Sequence, residues 1–274
     1  MSKVWFVTGA SRGFGRHFVE AALERGDRVV ATARDVASLS ELTGRYGDRC
    51  MAMALDVTDR SAAFAAVKRA HEHFGRLDVV VNNAGYGHFG MVEEIAEQEI
   101  RAQFETNVFG ALWVTQAALP LLRAQGSGHI VMLSSVLGVA AFPTTGGYTA
   151  SKAALEGFAE SLAQEVAPFG VKVTIVEPSG FDTGFSTSAS RSEAIPAYAP
   201  VQEAFMARFA SLPQGNASGV GSALLAIVDA ETPPLRVFFG SLPMHVVPAL
   251  YAERLKTWEQ WAAVAAQADG GGRG

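Results

Sequence analysis

The sequence predicts an α/β fold with a single doubly wound parallel sheet flanked by helices, and three observations support this. Short apolar runs rich in Val, Ile and Ala alternate with stretches at helical spacing. Those runs carry little polar alternation, as in Asp78-Val-Val-Val and Val171-Lys-Val-Thr-Ile-Val, which suits strands covered by helices on both faces. A glycine turn, Thr8-Gly-Ala-Ser-Arg-Gly-Phe-Gly15, separates the first strand from the first helix.

Val4 to Thr8 is apolar and ends at that turn. Phe14 to Arg25 then places Phe14, Phe18, Ala21, Ala22 and Leu23 at helical spacing before Gly26 stops it. The alternation repeats with Arg28 to Ala33 as strand, Val36 to Tyr46 as helix, Cys50 to Leu55 as strand and Arg60 to Phe74 as helix. Further strands are predicted at Leu77 to Asn82, His129 to Ser134, Val171 to Glu177 and Leu235 to Phe239. In such sheets crossovers are right-handed, and ligands bind beyond the strands' carboxyl ends where strand order reverses. Two segments break the rhythm. Gly184 to Asn216 is rich in Ser, Ala and Pro yet holds Phe185, Ile195, Tyr198, Phe205, Met206 and Phe209, so a substrate lid is expected over about 184–216. Residues 269–274 have nothing to bury and are expected to form a disordered tail, leaving 1–268 as a single domain.

A net charge of -5 and the lack of a basic run argue against nucleic acid or anionic membrane surfaces as partners. Cys50 is alone, so an internal disulfide is excluded. The first residues enter a strand without a signal-peptide pattern, and no apolar run has spanning length, so a soluble cytoplasmic protein is expected. The six histidines show no metal-ligand spacing, so no metal is expected.

Gly9, Gly13 and Gly15 form G-x-x-x-G-x-G, where missing side chains let the backbone turn tightly against a pyrophosphate at a helix N-terminus. Ser11, Arg12 and Phe14 belong to the same turn. Asp56-Val57 ends the third strand and Asn82-Asn83-Ala84-Gly85 the fourth, where adenine and ribose would lie. Asp56 could equally cap the following helix, sharing that role with Thr58 or Asp59. The second strand ends in Ala33 where an acid would hold a ribose 2'-OH, and Arg34 follows. Arg34 and Arg12 converging on one 2'-phosphate favour NADP(H), with NAD(H) possible and Asp35 as a competing acid.

Tyr148 and Lys152 stand four residues apart at the start of a helix, so both project from one face. Ser135 ends a strand thirteen residues earlier, and Asn107 lies upstream in Phe104-Glu-Thr-Asn-Val-Phe-Gly110. A phenol with a pKa of about 10 needs help to exchange protons at neutral pH, and the Lys152 ammonium is expected to lower it. Ser135 would hydrogen-bond a carbonyl and stabilise its developing charge. Asn107 would either hold a water that relays protons to Lys152 or brace a helix.

In these motifs the chain resembles the short-chain dehydrogenase/reductases, over Val4 to about Thr183. The resemblance implies a Rossmann-like domain, Tyr148 as the acid-base residue, Lys152 also on the nicotinamide ribose, Ser135 orienting substrate and Asn107 completing the group. It also implies a homodimer or homotetramer. Where the family usually has Pro-Gly after the sixth strand, this chain reads Pro178-Ser-Gly-Phe-Asp-Thr183, with Ser179 in the glycine's place. Gly180 is expected to supply the turn instead. Pro178, Gly180, Phe181 and Thr183 are carried over as cofactor contacts, Thr183 toward the carboxamide.

Candidate pocket residues are Tyr86, His88, Phe89, Val136 to Phe142 and the lid aromatics, with His88 expected at the rim. Gly146 and Gly147 are expected to leave open space beside Tyr148. Together they predict an NADPH-dependent carbonyl reductase acting on a mostly apolar ketone or aldehyde. An NAD-dependent secondary-alcohol dehydrogenase is the nearest alternative, and a non-catalytic NADP(H) sensor or scaffold is the alternative of another class.

Overall fold

The computed structural model describes residues 2–210 and 212–270, so Ser211 of the expected lid and 271–274 of the expected tail lie outside the described residues. The first half of the chain runs β1 (Val4–Val7), α1 (Gly13–Glu24), β2 (Arg28–Ala33), α2 (Ser40–Tyr46), β3 (Cys50–Ala54), α3 (Arg60–Phe74), β4 (Val79–Asn82) and a two-residue β5 (His88–Phe89). Then come α4 (Glu97–Phe104), α5 (Gly110–Gln125), β6 (Gly128–Leu133), α6 (Gly146–Val166) and β7 (Val171–Pro178). The remainder holds α7 (Phe185–Ser188), β8 (Ser190–Arg191), α8 (Ala199–Ala210), α9 (Val220–Asp229), β9 (Arg236–Phe239), α10 (Leu242–Gln260) and α11 (Ala262–Ala268).

Seven strands form one parallel sheet in the order β3-β2-β1-β4-β6-β7-β9. Strand order reverses between β1 and β4, which pair Trp5 with Val79 and Val7 with Val81, so a crevice opens at their carboxyl ends. Helices cover both faces. Val67 of α3, Val114 of α5 and Leu155 of α6 pack on one, and Phe18 of α1, Leu42 of α2 and Leu224 of α9 on the other. This two-sided cover is why the strands read as continuous apolar runs.

Side-chain caps shift two predicted boundaries. Asp35 accepts a hydrogen bond from the Ala37 N–H at 3.0 Å, so Val36–Leu39 forms a 3₁₀ turn and α2 starts only at Ser40. Asp78 accepts from the Val4 N–H at 2.8 Å and from Arg76, so it serves as a bracket at the amino ends of the central strands and β4 begins at Val79. The expected lid segment contains α7, β8 and α8, and β8 pairs in parallel with β5. Among the described residues no helix is long and apolar enough to cross a membrane.

Candidate active site

The carboxyl ends of β1, β4, β6 and β7 open into a cavity of about 710 Å³. That volume lies within the ~300–1,000 Å³ usual for small-molecule sites. Gly9, Ser11, Arg12, Gly13, Phe14, Arg34, Asp56, Val57, Asn83, Ala84 and Gly85 line it from one side. Pro178, Gly180, Phe181 and Thr183 close the far end, and Ser135, Tyr148 and Lys152 lie on its wall.

Two predicted residues stand behind that wall. Gly15 is pressed against the turn: a Cβ there would lie 2.3 Å from the Gly9 carbonyl oxygen and 2.4 Å from Asn83 Nδ2. Its absent side chain therefore lets α1 close under the turn. Asn107 lies in a π-helical segment, Glu105–Phe109, between α4 and α5. Its amide donates to the Tyr86 carbonyl at 3.0 Å and to Ser151 Oγ at 3.1 Å, and its oxygen accepts from the Tyr86 N–H at 3.0 Å. Asn107 thus fixes the loop after β4 against α6.

The turn itself is sewn to β4. Asn83 Nδ2 donates to the Thr8 and Gly9 carbonyls at 2.8 and 2.9 Å, while Thr8 Oγ1 accepts from the N–H groups of Asn83 and Ala84. At the start of α1 no side chain caps the helix, so its first N–H groups remain available to an anion in the cavity. Arg12 and Arg34 form no ion pair among the described residues. Asp35 is engaged at its cap and is not part of the cavity wall. Asp56 accepts from the Thr58 N–H and hydroxyl, which together with Arg34 hold its pKa below the usual carboxylate range, while Asp59 caps α3. A bare helix N-terminus beside two unpaired guanidiniums suits a pyrophosphate and a further phosphate, so the residues present fit a nicotinamide dinucleotide.

Tyr148 and Lys152 are both 4% exposed. Burial raises the Tyr148 pKa above that of a free phenol, opposed by a hydrogen bond from Ser135. Burial also lowers Lys152 to about 8, opposed by Glu156. Lys152 Nζ donates to the Leu133 carbonyl at 2.7 Å and sits 5.7 Å from the Tyr148 ring centre. Ser135 Oγ accepts from the Leu137 N–H at 3.1 Å, which leaves its O–H free to donate toward Tyr148.

A family model for the short chain dehydrogenases matches residues 3–194. The chain belongs to the short-chain dehydrogenase family. It is similar to the oxidoreductase BOA17 of Botryotinia fuckeliana, with 42% identity over 88% of this chain and 89% of that protein. Among solved structures, a short-chain dehydrogenase from Streptomyces avermitilis superposes with a TM-score of 0.92 at 40% identity, covering 97% of this chain and 98% of that one. A Burkholderia cenocepacia short-chain dehydrogenase in complex with NADP gives 0.76 at 29% identity, over 94% and 97% of the two chains. A Burkholderia phymatum relative in complex with NAD gives 0.78 at 25%, over 90% and 92%. The protein is an NAD(P)-dependent short-chain oxidoreductase.

Several details of this short-chain dehydrogenase differ from the sequence expectations. The Lys152 ammonium does not dominate Tyr148; burial does, and it acts in the opposite direction. His88 is not at a rim but 2% exposed, held between Ser190 and Ser192 of the distant lid. Gly146 and Gly147 do not open onto the cavity, because Val92 fills the space at the first and Ile95, Ile100 and Gln103 that at the second. Of Val136 to Phe142, only Val136, Leu137 and Phe142 reach the wall. Phe185, Phe205, Met206 and Phe209 line the cavity from the lid, whereas Ile195 and Tyr198 do not. Ser179 does not adopt the left-handed backbone conformation that would call for glycine, and its hydroxyl packs against Gly240.

Other wall and support residues carried no local signal. Leu242, Pro243 and Val246 of α10 reach the cavity from beyond the last strand. Thr144 lines it with φ +67°, a rare state for a β-branched residue, and its carbonyl accepts from the Gly90 N–H at 2.9 Å. Behind Ser135, Glu156 accepts from Ser134 Oγ at 2.5 Å and pairs with Arg236 at 2.7 Å. Arg236 also holds Glu177 and Glu160. Only Thr8, already part of the quoted turn, stood within a recognisable motif.

Proposed function

We propose that this short-chain dehydrogenase reduces the carbonyl of a mostly apolar ketone or aldehyde with NADPH, with Tyr148 as the general acid. One observation carries the reading: a buried phenol that holds its proton, joined to Ser135, faces a cavity shared by apolar lid side chains and the glycine turn. NADPH, when bound, supplies the hydride. Ser135 donates a hydrogen bond to the substrate oxygen and stabilises the negative charge that grows there. Tyr148 Oη gives its proton to that oxygen as the carbon is reduced. Lys152, anchored by the Leu133 carbonyl, keeps its remaining N–H groups for the nicotinamide ribose and the nascent phenolate. Arg12 and Arg34 receive the 2'-phosphate, a role supported by the absence of an ion pair at either among the described residues, Arg34 acting on Asp56 only through its field, and by the diversion of Asp35 to its cap. Asn107 is a positioning residue, since both its amide groups are engaged by Tyr86 and Ser151.

Replacing Tyr148 by Phe removes the transferable proton while keeping the ring. Turnover on a panel of aryl ketones, ketoesters and aldehydes is expected to fall at least ~10³-fold, with NADPH affinity by fluorescence titration within about twofold of the parent. A Tyr148→Phe enzyme that keeps the parental rate overturns the acid role.

A further inference from the structure

The register between β5 and β8 sorts the lid strand by side-chain face. His88 pairs with Ser190, and Phe89 with Arg191, so the first pair shares one face and the second pair the opposite one. On the inner face the buried His88 ring holds both flanking serines, Nδ1 lying 2.8 Å from Ser190 Oγ and Nε2 2.8 Å from Ser192 Oγ. Ser192 donates in turn to Glu99 at 2.8 Å. The backbone is fixed as well: Ser190 and Ser192 N–H groups donate to the Gly87 and Phe89 carbonyls at 3.0 Å. Arg191, the residue between them, is thereby turned to the other side. Its guanidinium lies 5.5 Å from the Phe89 ring centre, and that ring lies 6.4 Å from the ring of Tyr148. Arg191, Phe89 and Tyr148 line the same cavity.

Arg191 has no ion-pair partner among the described residues, and three nearby carboxylates, Glu93, Glu94 and Glu99, are already engaged. Glu99 accepts from Ser192 and the Ala96 N–H. Glu94 accepts from the N–H groups of Met91 and Ile195, and Glu93 from the Tyr198 hydroxyl. Arg191 is exposed at the cavity, its guanidinium over the Phe89 ring and in no ion pair, so it can meet an anionic group of a ligand that enters there.

We propose that Arg191 is a specificity-determining residue that receives an anionic group on the substrate. The substrate class is then an apolar ketone or aldehyde carrying a carboxylate or phosphate. Its carbonyl lies at Ser135 and Tyr148 and its anion at the lid mouth, one aromatic ring away. The placement of the carbonyl rests on the reductase reading above; the anion site does not.

The test compares para-acetylphenylpropanoate, its methyl ester and para-acetylphenethyl phosphate in the parent and in Arg191→Leu and Arg191→Lys enzymes. Calorimetry on the NADP⁺-loaded protein reads binding, and loss of NADPH absorbance reads turnover. The parent is expected to bind one anion about fivefold or more tightly than the ester, a margin that Arg191→Leu removes and Arg191→Lys partly restores. The anion with the larger loss identifies the group, carboxylate or phosphate. An anion-to-ester affinity ratio unchanged by Arg191→Leu overturns the proposal, as does a parent that binds both anions no better than the ester. Loss of the affinity margin without turnover of any compound sinks the reductase reading alone and leaves the anion site standing.

Discussion

Replacing Gly15 and Gly157 by Ala makes the same chemical change at two helix positions, yet the surroundings give the two substitutions opposite signs. A Cβ at Gly15 lies 2.3 Å from the Gly9 carbonyl oxygen and 2.4 Å from Asn83 Nδ2, against an ordinary contact of 3.4–4 Å, so the turn and the start of α1 must part by about 1 Å. Overpacking of this kind costs ~1–3 kcal/mol, and weakening the two Asn83 bonds to the turn adds ~1 kcal/mol. With ~2–4 °C lost per kcal/mol in a chain of this size, Gly15→Ala is expected to melt about 4–16 °C below the parent. Its NADPH affinity should fall at least ~10-fold, because the displaced backbone is the part that would face the pyrophosphate in the proposed reading. Around Gly157, exposed on α6, nothing lies within 4 Å of the added carbon. There the substitution only improves helix propensity, by ~0.5–1 kcal/mol, and raises the melting temperature by about 1–3 °C. Thermal unfolding by circular dichroism and titration with NADPH read both proteins. A Gly15→Ala enzyme that melts with the parent and binds NADPH as well as it does refutes the packing account of the turn.

Two further outcomes follow from charged groups. Arg34→Ala should raise the KM for NADPH by about 10–100-fold while changing that for NADH less than ~3-fold, as expected for loss of charge-assisted bonds to a phosphate; equal changes for the two cofactors would remove Arg34 from the 2'-phosphate site. Burial lifts Glu177 to about 7 from 4.5, with Glu156 adding to the rise and Arg236 opposing it. The folded state thus keeps a proton that the unfolded chain releases, so this contribution to stability is full below the unfolded pKa and is lost as pH rises through about 7. Glu177→Gln should abolish that loss, on the order of 1–3 kcal/mol, flattening the melting temperature between about pH 5.5 and 8.5; parallel curves for parent and variant would contradict it.

The sheet and the glycine turn were legible because their signals are local. A buried parallel strand needs only its own apolar run, and the tight turn needs only its own glycines. The order Asn107, Ser135, Tyr148, Lys152 was legible as residues, but the role of Asn107 depends on a π-helical segment that brings its amide to Tyr86 and Ser151. His88 was read as a rim residue because the serines that bury it lie more than a hundred residues downstream. Those serines lie in and just after a two-residue strand that exists only by pairing with β5, and no periodicity can announce so short a strand. The space beside Gly146 and Gly147 was misjudged for the same reason, since the side chains that fill it come from α4 and the segment before it. Leu242, Pro243 and Val246 were missed because a helix after the last strand can dock in many places, and its sequence does not say which.

The same dependence on context governs the proposed catalytic pair. From sequence, an ammonium four residues from a phenol lowers the phenol's pKa before anything happens; in the fold, burial raises Tyr148 and lowers Lys152 to about 8. For the proposed reduction this ordering is favourable. An acid must reach the reaction with its proton, and a tyrosine already ionised by its neighbour would have none to give. The low dielectric that holds the proton on Tyr148 also strengthens whatever attraction Lys152 exerts once that proton has moved. Lys152 is kept available for that moment: the Leu133 carbonyl anchors it, and Glu156, one helical turn further along α6, favours its charged form. Glu156 is steadied by Ser134 and Arg236, so the support reaches through β6 to the far edge of the sheet at β9. An interaction that is weak with a neutral phenol and strong with a phenolate stabilises the transition state more than the ground state, and only that difference accelerates the chemical step.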